Sequence, residues 1–471
     1  MSDLMRFTIG FVISGMVVLL SASGLLPAAQ LDRPAIEAYL PRAAEISHVA
    51  SPESTSQPLS LEAAVRIALD QNPVQRAARE GLISATEAVG AARAARYPTV
   101  SLDAQYRRWE SHAFLPAGLS TSLPTDIIGP TDDWGLGLNL RYTVFDSGQR
   151  RAEERGARAK QAVAGEDVAL TRQDVIYRVH RAYYALLAAQ DSLSVAKSSL
   201  GRAEDHLRLA EEKKAAGAVP LVDVVRARTE VADAKLAVVR AEGAVRVAQA
   251  DLDAAIGLPA DTALDLAAPD AEIDPPGMKD LTSAFDIALH SRPELKAALD
   301  RIALNQSAVD LARSSFLPKV KASARFGWRD ADFVPEDKDW SVGIAVEVPV
   351  FNGYLSRHQT AAARAELRKA EDETRALVLA VQQQVTSAYS RLKEAYQAVE
   401  ATRSLREDAA ESARLSRERY AVGAGTLTDL LDSEAAFAKA DAIMVEAHYT
   451  CRVAKVTFQK ATGDLKSGVD R

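Results

Sequence analysis

Two aspartates near the end of the chain have a spacing that could build a charged constriction. Asp429 and Asp432 lie three positions apart, directly after a glycine-containing turn. Residues three apart share one face of a helix, so both carboxylates would point the same way. If several copies surrounded an axis, they would form carboxylate rings that favour cations, and crowding would raise some of their pKa values. The alternative is that Asp429 caps the helix and Asp432 is a solvated charge; these two residues alone leave both interpretations open.

No other set of residues indicates catalysis or a bound cofactor. The seven histidines are scattered and show no paired spacing of metal ligands. The single cysteine, Cys451, can form neither an intramolecular disulfide nor a cysteine metal cluster. No nucleophile, acid and base are brought together by the sequence pattern. We therefore expect no enzyme activity, no metal and no cofactor. The net charge of −7, without a basic run, argues against nucleic acid as a partner.

The chain contains one large internal duplication. Residues 61–98 align with 281–318 without a gap, and Trp134–Gly257 align with Trp340–Gly463 at a constant offset of 206 positions. Each half is far longer than the units of solenoids and propellers. One duplication of a helix–strand–strand–helix unit predicts internal pseudo-symmetry, which suits a ring, a barrel or a tube.

Long heptad patterns occupy both halves. From Val179 to Leu207 an apolar residue recurs every seven positions with an alanine three positions later, and the returning segment from Val224 to Leu252 does the same. This 3,4 spacing predicts long coiled-coil helices whose alanines let the backbones approach closely. The first helix would run from about 149 to 216. Taken alone, the heptads fit a soluble or fibrous coiled coil.

Four short segments alternate between apolar and polar residues with a period of two, at about 99–109, 134–145, 319–329 and 340–350. About 9–11 residues is the length of a tilted membrane-spanning strand. The polar faces carry charges or glycine, as a watery lumen would, although two soluble hairpins are the alternative. Four strands cannot close a barrel alone, so several copies would have to combine. Aromatic residues cluster near the loop ends, as in an interfacial girdle: Tyr106, Trp109, Trp134, Trp328 and Trp340.

Arg141 and Glu347 lie 206 positions apart on the polar faces of matched strands. In a barrel both would line the lumen, where they would either meet each other or be solvated. We expect them to be solvated.

The first residues predict export. Arg6 precedes an apolar stretch from Phe7 to Leu20, and small residues follow where a peptidase would cut. We interpret 1–26 as a signal peptide, with an uncleaved anchor as the alternative. The predicted segments after it are a linker or strap (27–58), a first repeat (59–257), an inter-repeat linker (258–279), a second repeat (280–463) and a tail (464–471).

The chain resembles the TolC-type outer-membrane efflux family over about 59–463. The resemblance rests on the signal, the duplicated unit, the turn RYAVGAGTLTDLLD, and the FDSG and FNGY steps from strand to helix. It implies a mainly α homotrimer, in which long antiparallel coiled-coil helices form an α-barrel and each chain gives four strands to a 12-stranded transmembrane β-barrel. It also implies a passive exit duct of a tripartite efflux or type I secretion system. The duct would lie in the outer membrane with a long periplasmic extension, and would work with a periplasmic adaptor and an inner-membrane pump of the RND, ABC or MFS type.

The resemblance also assigns residues to the periplasmic gate and the docking tips. Asp429 and Asp432 would ring the constriction, Tyr420 would belong to the bonding network of the gate, and Asp223 matches the aspartate of the first hairpin. The adaptor would dock on the tips, at Gly217, Ala218, Gly423 and Ala424. The chain departs from the family pattern at Gly425, where an arginine latch would sit, and at the tips, which carry alanine instead of leucine after the glycine.

The main alternative to an exit duct is a periplasmic coiled-coil scaffold without a pore. Within the duct class, the sequence leaves drug efflux, metal efflux and protein secretion open.

Overall fold

The structure is a computed structural model that describes residues 58–108, 132–260, 262, 264–267 and 280–465. The predicted signal peptide, Trp109, and most of the predicted linkers 27–58 and 258–279 lie outside the described residues. In chain order the elements are α1 (Leu61–Gln71), α2 (Pro73–Ala94), β1 (Thr99–Arg108), β2 (Asp132–Phe145), α3 (Gln149–Ala215), α4 (Leu221–Ile256), α5 (Leu281–Ser291), α6 (Pro293–Ser314), β3 (Lys319–Asp330), β4 (Lys338–Glu347), α7 (Leu355–Ala421) and α8 (Leu427–Ala461).

The two repeats fold alike, as the duplication predicts. The helices α1 and α5 have 11 residues each, α2 and α6 have 22 each, and α3 and α7 have 67 each. Both 22-residue helices begin with proline, at Pro73 and Pro293. Proline suits the first helical position because its fixed φ is already helical and the missing N–H would have no partner there. The same local signals therefore set the same helix boundaries twice.

Each repeat contains one long helical hairpin, α3 with α4 and α7 with α8. The heptad segment predicted from about 149 to 216 is one unbroken helix, Gln149–Ala215. Val179 and Leu186 on its seam are at most 1 % exposed, and Val224 on the returning helix is 2 % exposed. The apolar heptads thus provide the packing that stabilises helices of this length.

The four strands form one antiparallel sheet in the order β1–β2–β3–β4. The strands β2 and β3, which belong to different repeats, pair from Trp134 with Asp330 to Phe145 with Val320, with a register shift near Thr143. The last strand ends at Glu347. Pro349 follows closely and has no N–H to donate to a ladder, so the alternating pattern to 350 continues beyond the hydrogen-bonded strand. The chain is mainly helical and contains one four-stranded antiparallel sheet, which confirms the predicted helices and strands.

The sheet has one apolar face and one polar face. The register places Val100, Leu140, Ala324 and Val342 in one row across all four strands. Large apolar side chains on this face are exposed in the single chain, including Val342 and Ile344 at 75 % each. An apolar surface of this kind requires a lipid or protein environment.

The chain divides into two compact units. One contains Thr86–Lys160 and Ile302–Lys369, and therefore the sheet. In it, the buried Glu154 accepts hydrogen bonds from Arg93 (3.0 Å), Arg158 (2.6 Å) and Arg96. These bonds connect α2 with α3, and their arginines compensate a carboxylate that would be costly to bury alone.

The other unit contains Gln161–Arg301 and Ala370–Arg471 together with α1. Its main core gathers side chains from α1, α3, α4 and α8 around Tyr183 and Ile256. The Tyr183 hydroxyl donates toward the carbonyl oxygens of Leu59 (3.0 Å) and Ala267 (2.7 Å), which fixes the segments on both sides of the Leu59–Leu266 bridge.

Across the described part of the chain, none of the helices combines the length and the apolar character needed to cross a membrane.

Gly327 provides a test of the sheet. A Cβ atom at this position would lie 2.2 Å from the carbonyl oxygen of Leu136 on the neighbouring strand, whereas a Cβ at Gly343 would meet only the Ser323 hydroxyl at 3.9 Å. We expect Gly327→Ala to lower the free energy of unfolding of the sheet by about 1–3 kcal/mol, because two backbones would have to separate. Denaturant unfolding followed by tryptophan fluorescence measures this. Gly343→Ala is the matched control, and equal effects of the two variants would contradict the close approach.

Candidate functional site at the hairpin tips

The two helical hairpins reverse direction through the same backbone turn. Gly217 and Gly423 have φ of 74° and 78°, the left-handed conformation that favours glycine. The N–H of Ala218 donates to the Lys213 carbonyl (2.9 Å), and the N–H of Ala424 donates to the Arg419 carbonyl (2.8 Å). Together with the bonds made by the glycine N–H groups, this is the Schellman arrangement that satisfies the last carbonyls of a helix. The turns therefore hold the predicted tip residues in one fixed conformation, with all four exposed.

The helices that follow the two turns are capped differently. In the second hairpin, Thr426 and Asp429 form a reciprocal capping box: the Asp429 N–H donates to the Thr426 hydroxyl oxygen (3.1 Å), and the Thr426 N–H donates to the Asp429 carboxylate (3.2 Å). The Thr426 hydroxyl also donates to that carboxylate (2.7 Å), and these bonds lower the pKa of Asp429 below its ordinary value. In the first hairpin, Pro220 occupies the cap position without a side-chain bond. Asp429 in a single protomer is thus a capping residue, one of the two roles that the sequence left open.

Asp432 lies one turn further along α8 and is exposed. No ion pair or hydrogen bond of its carboxylate is present among the described residues. Of the two aspartates predicted to line the gate, Asp432 is the one whose charge is not used within the helix.

Tyr420 and Asp223 lie in different hairpins, and the charge of Asp223 acts on the Tyr420 hydroxyl. Tyr420 is 3 % exposed and packs with Leu427 and Leu430. Burial, followed by the negative charge of Asp223, raises the pKa of the Tyr420 hydroxyl. The buried Tyr420 hydroxyl makes no hydrogen bond among the described residues, so its place in the bonding network of the gate stays a prediction.

Two bonds between the hairpins were not foreseen from the sequence. The Lys213 ammonium donates to the backbone carbonyl of Tyr420 and lies 4.4 Å from the centre of its ring. A cation near the last carbonyls of α7 is favoured by the helix dipole, and the ring adds a cation–π contact. On the returning helices, Arg226 donates to the Thr428 hydroxyl oxygen at 2.9 Å. Both bonds connect the first hairpin to the second at the level of the tips.

Gly425 occupies the position where the family pattern would place an arginine latch, and the side chain of Arg419 lies close to it. A Cβ atom at Gly425 would lie 3.3 Å from Cβ of Arg419. The Arg419 guanidinium lies 3.4 Å from the Ala424 carbonyl oxygen, and its charge contributes to lowering the pKa of Asp429. Arg419 thus places a positive charge beside the second tip.

The strongest connection between the hairpins is a buried cluster around Glu434. This residue is 8 % exposed and receives Arg202 at 3.0 Å and His206 at 3.3 Å, both from α3, together with Arg417 from α7. Burial acts to raise the pKa of Glu434, but the bonds from His206 and Arg417 outweigh it and lower the pKa to about 2. The cluster therefore ties α3, α7 and α8 together near the tips.

The sequence contained a signal for this cluster. Leu427, Leu430, Glu434 and Phe437 follow a 3,4 spacing, so Glu434 occupies a position of the apolar seam. A charged residue on a seam needs a buried partner. The spacing predicts that Glu434 has a buried, positively charged partner, but it does not show that Arg202 and His206 of the other hairpin are among its partners.

The structure places Arg141 and Glu347 on the polar face of the sheet, away from each other. Glu347 accepts from the Lys321 ammonium at 2.8 Å on the adjacent strand. Arg141 is exposed, opposite Thr99 and Ser323. Their position in a barrel lumen stays a prediction.

Glu434→Gln tests the buried cluster. The folded-state pKa of about 2 lies below the ordinary 4.5, so the ionised carboxylate stabilises the fold above pH 4.5, and this contribution is lost as the pH falls toward 2. We expect the variant to lower the free energy of unfolding by about 3–5 kcal/mol at neutral pH, with a difference that shrinks in acid. Denaturant unfolding followed by helical circular dichroism measures both. Glu418→Gln is the control, since its partner Arg414 is exposed; a pH-independent difference for Glu434→Gln would contradict the ionic origin.

Comparison with known proteins is consistent with this architecture. A family model described as "Outer membrane efflux protein" matches residues 64–258 and 284–464, which are most of both repeats. Protein CyaE of Bordetella pertussis is 27 % identical over 419 residues, covering 88 % of this chain and 86 % of CyaE. Outer membrane protein OprJ of Pseudomonas aeruginosa is 22 % identical over 413 residues, covering 85 % and 83 % of the two chains.

The fold is also that of a solved outer membrane protein. The crystal structure of VceC from Vibrio cholerae matches with a TM-score of 0.74 at 20 % identity, covering 86 % of this chain and 97 % of VceC. Because the family model covers both repeats, the chain belongs to the outer membrane efflux protein family, and it acts as an outer-membrane exit channel of bacterial efflux or secretion systems.

Proposed function

We propose that three copies of this chain form one passive duct, with a 12-stranded barrel in the outer membrane and a helical tunnel in the periplasm. A periplasmic adaptor and an inner-membrane pump of the RND, ABC or MFS type would complete the export system. The tips of the helical hairpins would form its gate.

The proposal that several copies close one barrel is supported by the two open edges of the sheet. Among the described residues, β1 and β4 each pair with one strand only. Unpaired backbone groups cost several kcal/mol each in hydrocarbon, so an open four-stranded sheet is not viable there. Pairing β4 of one copy with β1 of the next would satisfy these edges and direct the exposed Val342 and Ile344 into lipid.

The gate is proposed at Asp429, Asp432, Asp223 and Tyr420. Three copies of Asp432 would present three carboxylates that are not used within the helix, whereas Asp429 would contribute charge while it caps α8. Rings of carboxylates attract and retain cations. Opening would move the second hairpin away from the first, so it would have to break the bonds of Lys213, Arg226 and Glu434.

The adaptor is proposed to dock at Gly217, Ala218, Gly423 and Ala424. These residues form rigid, exposed turns, and Val422 beside them is 80 % exposed. Small side chains at a rigid turn let a partner approach the backbone closely.

A periplasmic scaffold without a pore is the less suitable alternative, because the family consists of outer-membrane channels. Single-channel current from detergent-purified protein in a planar bilayer tests the duct. A reproducible conductance is expected, and well-folded protein that conducts no current would favour the scaffold.

Asp432→Asn tests the carboxylate ring without disturbing the helix cap. We expect block of the current by multivalent cations from the periplasmic side to weaken at least tenfold, because all three carboxylates of the proposed Asp432 ring would become neutral amides. Thr426→Ala is the matched control, since it removes the cap and leaves every carboxylate in place. If the two variants change the block equally, the effect arises from the turn and not from the charge.

Ala218→Trp and Ala424→Trp test docking at the tips. Both positions are exposed and lie after the left-handed glycine, so the bulk should not disturb the turn. In a host that lacks its own exit channel, we expect either variant to abolish export, measured as intracellular accumulation of a fluorescent dye, while the protein still reaches the outer membrane. Ala218→Ser and Ala424→Ser are the controls. Normal export by both tryptophan variants would remove the tips from the docking proposal.

A further inference from the structure

The duplication relates one ion pair between the two hairpins to a second pair of oppositely charged residues, which form no ion pair with each other among the described residues of a single chain. Within the chain, Glu434 of the second hairpin contacts Arg202 of the first at 3.0 Å. The repeats are related by 206 positions, so Glu434 corresponds to Arg228 and Arg202 corresponds to Asp408. Both charges are reversed, and the corresponding pair therefore remains attractive.

The same reversal occurs inside each hairpin. Glu434 pairs with Arg417 in the second hairpin, and the corresponding Arg228 pairs with Glu211 at 2.9 Å in the first. The two ion pairs therefore occupy corresponding positions of the two hairpins, but the acidic and the basic residue have changed places. Glu434 pairs with Arg417 in its own hairpin and with Arg202 in the other hairpin. Arg228 pairs with Glu211 in its own hairpin, and by analogy it would accept a second, acidic partner from another hairpin.

Asp408 is the partner that fits this place. It is exposed on α7, and it has no ion pair among the described residues. Among the described residues of one chain, Arg228 pairs with Glu211 and forms no ion pair with Asp408. The hairpins of one chain are already joined by Arg202 and Glu434, so Asp408 would meet the Arg228 of another molecule.

We propose that Arg228 of one copy pairs with Asp408 of the next, so that α4 of one molecule packs on α7 of its neighbour as α8 packs on α3 within the chain. This inference rests on the proposed trimer and specifies its helical interface. The partner is a second copy of this chain, identified by charge complementarity at positions that the duplication relates.

Apolar residues support the same interface independently. Within the chain, Leu209 of the first hairpin packs on the cluster of Leu427, Leu430 and Tyr420, beside Leu431. Three of the residues 206 positions away are apolar and exposed in the single chain: Leu415 at 45 %, Leu221 at 57 % and Val225 at 51 %. The counterpart of Leu430, Val224, is buried in its own hairpin, and the counterpart of Tyr420 is Lys214. Leu415, Leu221 and Val225 therefore correspond to residues that pack between the hairpins of one chain, and the neighbouring copy would cover them.

Cysteine cross-linking tests the pairing. In a Cys451→Ala background, Arg228→Cys with Asp408→Cys is treated with a short bismaleimide, because an Arg–Asp contact is too long for the Cβ separation of a disulfide. We expect covalent dimers and trimers on denaturing gels. Arg228→Cys with Arg406→Cys is the matched control, since Arg406 faces Asp441 on its own hairpin at 2.6 Å. Arg202→Cys with Glu434→Cys calibrates the reaction, since it should link within one chain.

A polarity exchange tests the charges without disturbing the hairpin. Glu211→Arg with Arg228→Glu keeps the ion pair inside the first hairpin but presents a carboxylate to Asp408. We expect the trimer fraction in detergent, measured by native mass spectrometry at low salt, to fall at least tenfold. Adding Asp408→Arg should restore it, since the contact then has the polarity of Arg202 with Glu434.

The outcomes separate this inference from the trimer on which it rests. Covalent trimers for the 228–408 pair, together with rescue by Asp408→Arg, would support it. Unmodified protein that is trimeric, with neither cross-linking nor rescue, would overturn the pairing and leave the trimer standing. Unmodified protein that is monomeric in the same detergent would overturn the trimer and the pairing together.

Discussion

Backbone hydrogen bonding in the four-stranded sheet joins the two repeats and limits the environments in which the sheet can exist. The β2–β3 ladder joins the two repeats, while β1 and β4 have their outer edges open among the described residues. An outer-membrane channel cannot leave such edges in lipid, since no water is present to satisfy them. These edges are the reason for the proposal that several copies join through their strands. In the proposed assembly, a neighbouring copy would cover the exposed Leu415 and Val225.

Duplication retained the backbone and changed the side chains. Both hairpins turn through a left-handed glycine with the same pattern of N–H donors, because this geometry depends on little more than one glycine at the right position. The caps differ, with Thr426 in the second hairpin and Pro220 in the first, and the ion pair beneath each tip is reversed. The two hairpins therefore share one backbone geometry while making different contacts.

The bonds near the tips differ greatly in strength. Exposed pairs such as Arg208 with Asp205 contribute about 0–1 kcal/mol. Breaking a buried pair costs about 3–5 kcal/mol, because the remaining charge loses its partner without regaining water. The buried Glu434 cluster should therefore dominate how firmly α8 is held on α3, and the exposed Asp432 can carry charge toward a neighbour without weakening the hairpin.

The sequence by itself determined the local structure: the duplication, the long heptad helices, the four alternating segments and the glycine turns. Each depends on residues close together in the chain, so periodicity and turn chemistry suffice to predict it. The sequence also left two roles for Asp429, and only the structure showed its bond to Thr426. Arg202 beside Glu434, Tyr420 beside Lys213 and Thr428 beside Arg226 are each more than 200 positions from their partners, on other helices. Tertiary structure alone decided these pairs, because they depend on how each helix is rotated and shifted against its neighbour, which no local pattern specifies.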